Sequence, residues 1–181
     1  QNMATAVRAN YDAAELRRID RDHHLHPFSD NKQVVAEGGG HVYVRADGVY
    51  IWDVDNKRYL DAMAGLWCVN AGHGRREISE AVARQIATME YAPPFQMGHP
   101  AAFQLANEVA SWLPKDMGHV FFTNSGSESV DTALKIALAY HRARGEASRT
   151  RFIGRERGYH GVGFGGISVG GMVNNRKWFG S

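Results

Sequence analysis

Chemistry first suggests itself between His119 and Gly145, where the chain reads HVFFTNSGSESVDTALKIALAYHRARG. A short apolar run, His119–Phe122, gives way to small polar residues from Thr123 to Glu128, and then a strongly periodic helical pattern begins. A helix N-terminus leaves about four backbone N–H groups without internal partners, and the aligned peptide dipoles add partial positive charge there. Gly126 puts no Cβ in the way of an approaching anion, and Ser125 and Ser127 add hydroxyls. Such a loop is suited to holding a phosphate. The same letters also spell a capping box, in which Ser125 caps the helix and Glu128 reaches back. On local sequence alone, capping is the default. A Walker A loop is excluded, because no Gly-Lys-Ser/Thr follows the glycine.

A second glycine-rich turn, Gly158-Tyr159-His160-Gly161, follows the next expected strand, Arg151–Gly154. In open α/β sheets, ligands collect at the carboxyl ends of the strands. Two successive strand ends would then present Ser/Gly donors from one and a Tyr/His pair from the other. That is a phosphate grip beside a flat aromatic ring, which suits a planar phosphorylated cofactor. Gly161–Gly166 matches G-x-G-x-x-G by letter, but it is not placed tightly between a strand and a helix, so a dinucleotide site is not expected. His23 and His26 have no second ligand cluster to complete a metal site, and the segment HHLHPF is expected to be an ordered connector with no metal. His73 and His160 are expected to be structural hydrogen-bonders, and Cys68 a small buried hydrophobe.

The elements that must position these residues follow from periodicity. Tyr11, Leu16 and Ile19 are loosely helical, and the segment breaks at Pro27. Residues 40–65 read as an antiparallel β-meander, with Asp47-Gly48 and Asp55-Asn56-Lys57 as its turns. Ile78, Val82, Ile86 and Met89 fall on one face of a helix from Arg76 to Glu90. Pro100–Leu113 is a second helix, closed by Pro114. His119–Thr123 is expected as a strand, followed by a helix from Ser127 to Arg144 with Val130, Leu134, Ala137, Leu138 and His141 inward. Lys135 lies one turn after Asp131, a spacing that predicts an ion pair on the helix surface. Strands alternating with helices argue an α/β layer with a parallel or mixed sheet.

Composition bounds the function. The 181 residues are 44% hydrophobic with a net charge of +2, enough for a core and without a basic face for nucleic acid. The single cysteine allows no intrachain disulfide and fits a reducing compartment. No signal-like segment opens the sequence and no apolar run reaches the ~18 residues a membrane span needs. A cytoplasmic protein without membrane or nucleic-acid partners is expected.

Taken together, LWCVNAGHG, TNSGSESVDTALKIA and RERGYHG resemble the class III aminotransferases, pyridoxal-phosphate (PLP) enzymes of fold type I. PFQMGHPAAFQLA and SVGGMVNNRKWFG are similar to the ω-amino acid–pyruvate, or β-alanine–pyruvate, branch. The resemblance runs from about Leu16 onward. It implies an α/β chain forming the N-terminal part of that fold, a mixed or parallel sheet with helices preceded by a small antiparallel β-meander. Residues 1–64 would belong to the small domain and residues 65–181 to the first portion of the large PLP-binding domain. It implies that Gly126 and Ser127, with Ser125 adjacent, hold the cofactor phosphate, that Tyr159 stacks on the pyridine ring, and that His160 and Gly161 shape that turn. It further implies that Trp67, Leu66, Phe28 and Phe95 line the substrate pocket, Phe28 reaching into the partner subunit's site. Taken singly, the default for Trp67, Phe28 and Phe95 is an ordinary core residue.

Transamination also needs a Schiff-base lysine, a carboxylate on the pyridinium nitrogen and a cation for the substrate carboxylate. None of Lys32, Lys57, Lys115, Lys135 and Lys177 matches the family's lysine context, and Arg176 has no assignable pocket role. The resemblance therefore implies the N-terminal portion of an aminotransferase, inactive alone, whose complete form moves an amino group from an amine such as β-alanine to pyruvate as a homodimer or higher oligomer. Another PLP reaction on the same fold, an aminomutase or decarboxylase, and a noncatalytic PLP- or phosphate-binding module remain as alternatives.

Overall fold

The computed structural model describes residues 11–179. The N-terminal start of the first expected helix lies outside them. The chain divides into two compact units between Ala92 and Pro93.

The first unit begins with α1 (Ala13–His23), whose N-cap Asp12 accepts from the Ala14 and Glu15 amides. The break at Pro27 is followed by a short α2 (Asn31–Ala36), capped in the same way by Asp30. The expected meander is present as β1 (Tyr43–Asp47), β2 (Tyr50–Asp53) and β3 (Arg58–Leu60), antiparallel in the order β1-β2-β3. Asp47 pairs with Tyr50, so the first hairpin closes on two residues, with Gly48 at φ +57. The second closes through Asn56 at φ +63, and Asp53 accepts there from the Lys57 amide and the Tyr59 hydroxyl. α1 is tied to this sheet region by an Arg17–Asp55 ion pair and by the Gly40 amide, which donates to Asp20 Oδ2 at 2.8 Å. A short turn α3 (Ala64–Trp67) leads to α4 (Arg76–Thr88).

The second unit holds α5 (Pro100–Ser111), α6 (Gly126–Ala143), α7 (Phe164–Val169) and α8 (Val173–Phe179). α6 ends as its sequence predicts: Gly145 takes φ +80 and the Glu146 amide turns back to the His141 carbonyl. The least exposed face of α6 carries Val130, Leu134, Ala137 and His141. Asp131 does not pair with Lys135. It turns instead toward α7 and accepts from the Gly166 amide at 2.8 Å, a partner 35 residues away that helix spacing cannot reveal.

Two expected strands are not formed. His119–Thr123 and Arg151–Gly154 carry no ladder hydrogen bonds, and the one sheet among the described residues is the meander. A strand exists through its neighbour, and neither segment has one. The helix stripes show the same lack. Ile78, Val82 and Ile86 align on α4 as expected, yet each is more than half exposed. Among the described residues, only Ile167 of the hydrophobic side chains is buried. The chain exposes 15456 Å². A compact protein of its 20.1 kDa would expose about 8,700 Å², and two separate compact halves about 10,500 Å². The local elements are complete, but the surfaces they prepare are uncovered.

Candidate cofactor and substrate site

The loop before α6 forms the capping box its sequence spells. Ser125 is the N-cap, and its Oγ accepts from the Glu128 amide at 3.1 Å. Glu128 reaches back and accepts from the Asn124 amide at 2.9 Å. Thr123 and Ser129, which the motif reading passed over, direct their hydroxyls to the Ser125 carbonyl. Capping uses only part of the donor set. Among the described residues, nothing accepts from the amides of Gly126 and Ser127. A Cβ built on Gly126 would meet nothing within 4 Å, so the space beside these amides is open.

The glycine-rich turn is brought to this loop although the two strands that would deliver them are absent. The Val162 amide donates to Ser127 Oγ at 3.0 Å. Gly161 packs so closely that a Cβ there would lie 2.7 Å from Ser127 Cα, and its φ is +110. Only glycine meets both conditions. Because Ser127 Oγ accepts from Val162, its own hydrogen stays available to a ligand. Two free amides, one free hydroxyl and open space beside Gly126 fit a phosphate group. Capping and phosphate holding are therefore compatible uses of one loop.

Tyr159, two residues before the Gly161 contact, is 54% exposed. The His160 ring folds back over Gly158, where a Cβ would lie 2.8 Å from its Nε2. The cavity beneath the turn is about 10 Å³, room for barely one water. The glycines of GVGFGG serve packing: Gly165 stands where a Cβ would meet Asp131 and Leu134, and Gly166 presses on the His160 carbonyl. Arg176 joins Arg155, Arg157 and Lys177 around a cavity of about 680 Å³ in the same unit.

The proposed substrate residues are exposed rather than packed into a core. Trp67 is 77% and Phe28 67% exposed in the first unit, and Phe95 is 78% exposed in the second. Ala64, Gly65, Leu66 and Trp67 all have positive φ, so α3 is a single left-handed turn. Each non-glycine residue held there costs about 1–2 kcal/mol. Asp61 fastens the turn, accepting from the Gly65 amide at 2.9 Å and from His73 Nε2 at 2.8 Å. The hydrogen bond from His73 holds the Asp61 carboxyl below its usual range, and His73 in turn exchanges backbone hydrogen bonds with Gly48. His73 is thus the structural hydrogen-bonder expected of it. Cys68, expected to be buried, is exposed, as are Leu66 and Trp67 beside it. Phe28 also has positive φ.

A helix N-terminus with spare amides, braced by a Gly-Tyr-His-Gly turn, is an arrangement suited to a phosphorylated ligand. The family model for class-III aminotransferases matches residues 34–180, and the chain belongs to that family, whose members are PLP-dependent. It is 57% identical over 162 residues to an omega-aminotransferase of Caulobacter vibrioides, a match covering 90% of this chain and 36% of that relative. It is 48% identical to a beta-alanine–pyruvate aminotransferase of Pseudomonas aeruginosa, over 87% of this chain and 35% of the relative. Among solved structures, an (S)-enantioselective omega-transaminase from Thermomicrobium roseum superposes with a TM-score of 0.90 at 41% identity, covering 94% of this chain and 38% of that one. The fold is thus the N-terminal portion of the PLP-dependent transaminase fold. The chain spans little more than a third of the length of the relatives it matches. Among the described residues, no helix is long and apolar enough to cross a membrane.

Proposed function

We propose that the complete protein is a PLP-dependent transaminase that moves an amino group from an ω-amino acid or primary amine, such as β-alanine, to pyruvate. The observation that carries this is the pair of unpartnered amides at Gly126 and Ser127, set against Gly161 and Val162 with the Ser127 hydrogen still to donate. When bound, PLP supplies the electron sink that lets a C–N bond be remade on a different carbon skeleton. In this proposal Gly126 and Ser127 hold the phosphate, Ser125 keeps the helix end closed, and Tyr159 offers its ring face to the pyridine. His160 and Gly161 keep the Tyr159 turn pressed on Ser127. Trp67 and Leu66, on the left-handed turn, and Phe28 and Phe95 line the amine pocket. The choice of β-alanine and pyruvate is supported by the name of the relative at 48% identity, a beta-alanine–pyruvate aminotransferase. The proposal includes a cytoplasmic homodimer.

The test is to incubate the full chain with PLP, β-alanine and pyruvate and to quantify alanine. Alanine formed in step with β-alanine consumed is the expected result. Consumption of the amine without alanine would sink the transaminase reading, and no bound PLP would sink the cofactor assignment as well. Replacing Ser127 by Ala is expected to weaken PLP binding about 10-fold or more, the worth of one hydrogen bond to a charged group. Cofactor absorbance after gel filtration reports it.

A further inference from the structure

We propose that Asp20, His24 and His26 form a binding site for a divalent transition metal, best suited to Zn²⁺. Sequence spacing drew attention to His23 and His26. The structure instead turns His24 and His26 together onto Asp20, one helical turn before the end of α1. His24 Nδ1 and His26 Nε2 both lie 2.8 Å from Asp20 Oδ1. The ligand atoms of the three residues are all within 4.8 Å of one another.

The surroundings suit a ligand set. Asp20 Oδ2 is fixed by the Gly40 amide at 2.8 Å, so Oδ1 is aimed at the rings. That hydrogen bond, with those from His24 and His26, favours the ionised carboxylate that a ligand must be. A Cβ at Gly40 would lie 3.0 Å from His26 Cε1, so glycine there lets the His26 ring come in. Pro27 and the Asn31 side chain, bonded to both the amide and carbonyl of His26, set the backbone that carries it. The His24 side chain is 60% exposed, which leaves a coordination position open to water.

Two imidazoles and one carboxylate with an open fourth position are a ligand set zinc accepts. Tetrahedral ligands at ordinary zinc distances stand about 3.4 Å apart. The two rings must therefore move outward from Oδ1 by on the order of 0.6 Å, which the exposed His24 can do by rotating. Each ring now shares a proton with Oδ1 and must present a bare nitrogen there instead. A neutral ring does so by carrying its proton on the other nitrogen. The ion would replace two hydrogen bonds to one oxygen with a junction of α1, the HHLHPF connector and the Gly39–Gly40 turn. This assignment is independent of the transaminase proposal, because none of these residues belongs to the cofactor grip.

The test uses the full chain, stripped with a chelator and titrated with ZnCl₂ against a chromophoric competitor. One equivalent of zinc is expected that is weakened at least about 10-fold by His24→Ala and by His26→Ala, and left unchanged by His23→Ala. Zinc uptake that is the same in all three variants and the unaltered protein, or no uptake at all, overturns the site. Should the His26 variant fail to fold, crystals of the unaltered protein soaked in ZnCl₂ decide the matter. An anomalous peak between the three side chains is expected, and its absence overturns the proposal.

Discussion

The hydrogen bond from Val162 to Ser127 decides what the serine has left to give. With one lone pair engaged, the hydroxyl keeps its single hydrogen to donate to a ligand's acceptor, alongside the free amides of Gly126 and Ser127. The contact depends on Gly161. Gly161→Ala would force a Cβ to within 2.7 Å of Ser127 Cα at φ +110. We expect it to destabilise the full chain by about 2 kcal/mol or more and to lower PLP retention, read from the urea midpoint and from cofactor absorbance. Ser125→Ala removes only the cap and should cost about 1 kcal/mol while PLP is retained. A second residue-level expectation concerns pH. The Asp53 carboxylate accepts from Tyr59 and pushes that phenol up to about 12. A raised phenol stabilises the fold fully below its unfolded value of ~10, and that contribution is lost as pH rises through about 12. Alkaline absorbance titration should show one late phenol that Tyr59→Phe abolishes and Asp53→Asn moves back toward ~10.

At the scale of elements, what could be read from sequence was whatever local chemistry decides. Asp47-Gly48 turns a hairpin and Gly145 ends α6 because each acts within a few residues, while α2 with its Asp30 cap falls where an irregular connector was expected. The capping box was legible for the same reason. The approach of Gly161 and Val162 to Ser127 was legible only as the expectation that two strand ends meet, and the strands that motivated it are not made. The Asp131–Gly166 bond and the Asp20–His24–His26 cluster were illegible, since their partners are set by how the chain returns. The left-handed turn at Ala64–Trp67 has no sequence signature beyond Gly65. Its strain makes a prediction. Trp67→Gly should relieve about 1 kcal/mol and raise the urea midpoint, because the side chain is too exposed to lose much packing. The same variant should lower kcat/KM for β-alanine if Trp67 lines the pocket. A fall in both stability and activity would mean the ring is held for packing.

For the whole molecule, the exposed area governs behaviour. A surface of 15456 Å² with α4 and α5 showing apolar side chains cannot repay the conformational entropy of ordering 181 residues. The 181-residue chain on its own should bind a hydrophobic dye strongly and melt without a sharp transition. A compact monomer with a cooperative melt would refute this. Supplying in trans a segment equivalent to the part of the longer relatives that this chain does not cover should suppress the dye signal.

The crowding of glycines against α6 bears on how this chain can vary. From Gly161 to Gly171 several positions stand where a single added methyl would run into Ser127, Asp131 or the backbone of the turn. Gly126, which faces the proposed ligand, has empty space instead. A comprehensive substitution library should therefore find its least tolerant stretch in the turn packed behind Ser127 rather than at Gly126. Variation at Gly126 would be punished only when the cofactor is limiting, whereas variation at Gly161 would be punished always. Growth across a range of cofactor supply would separate the two.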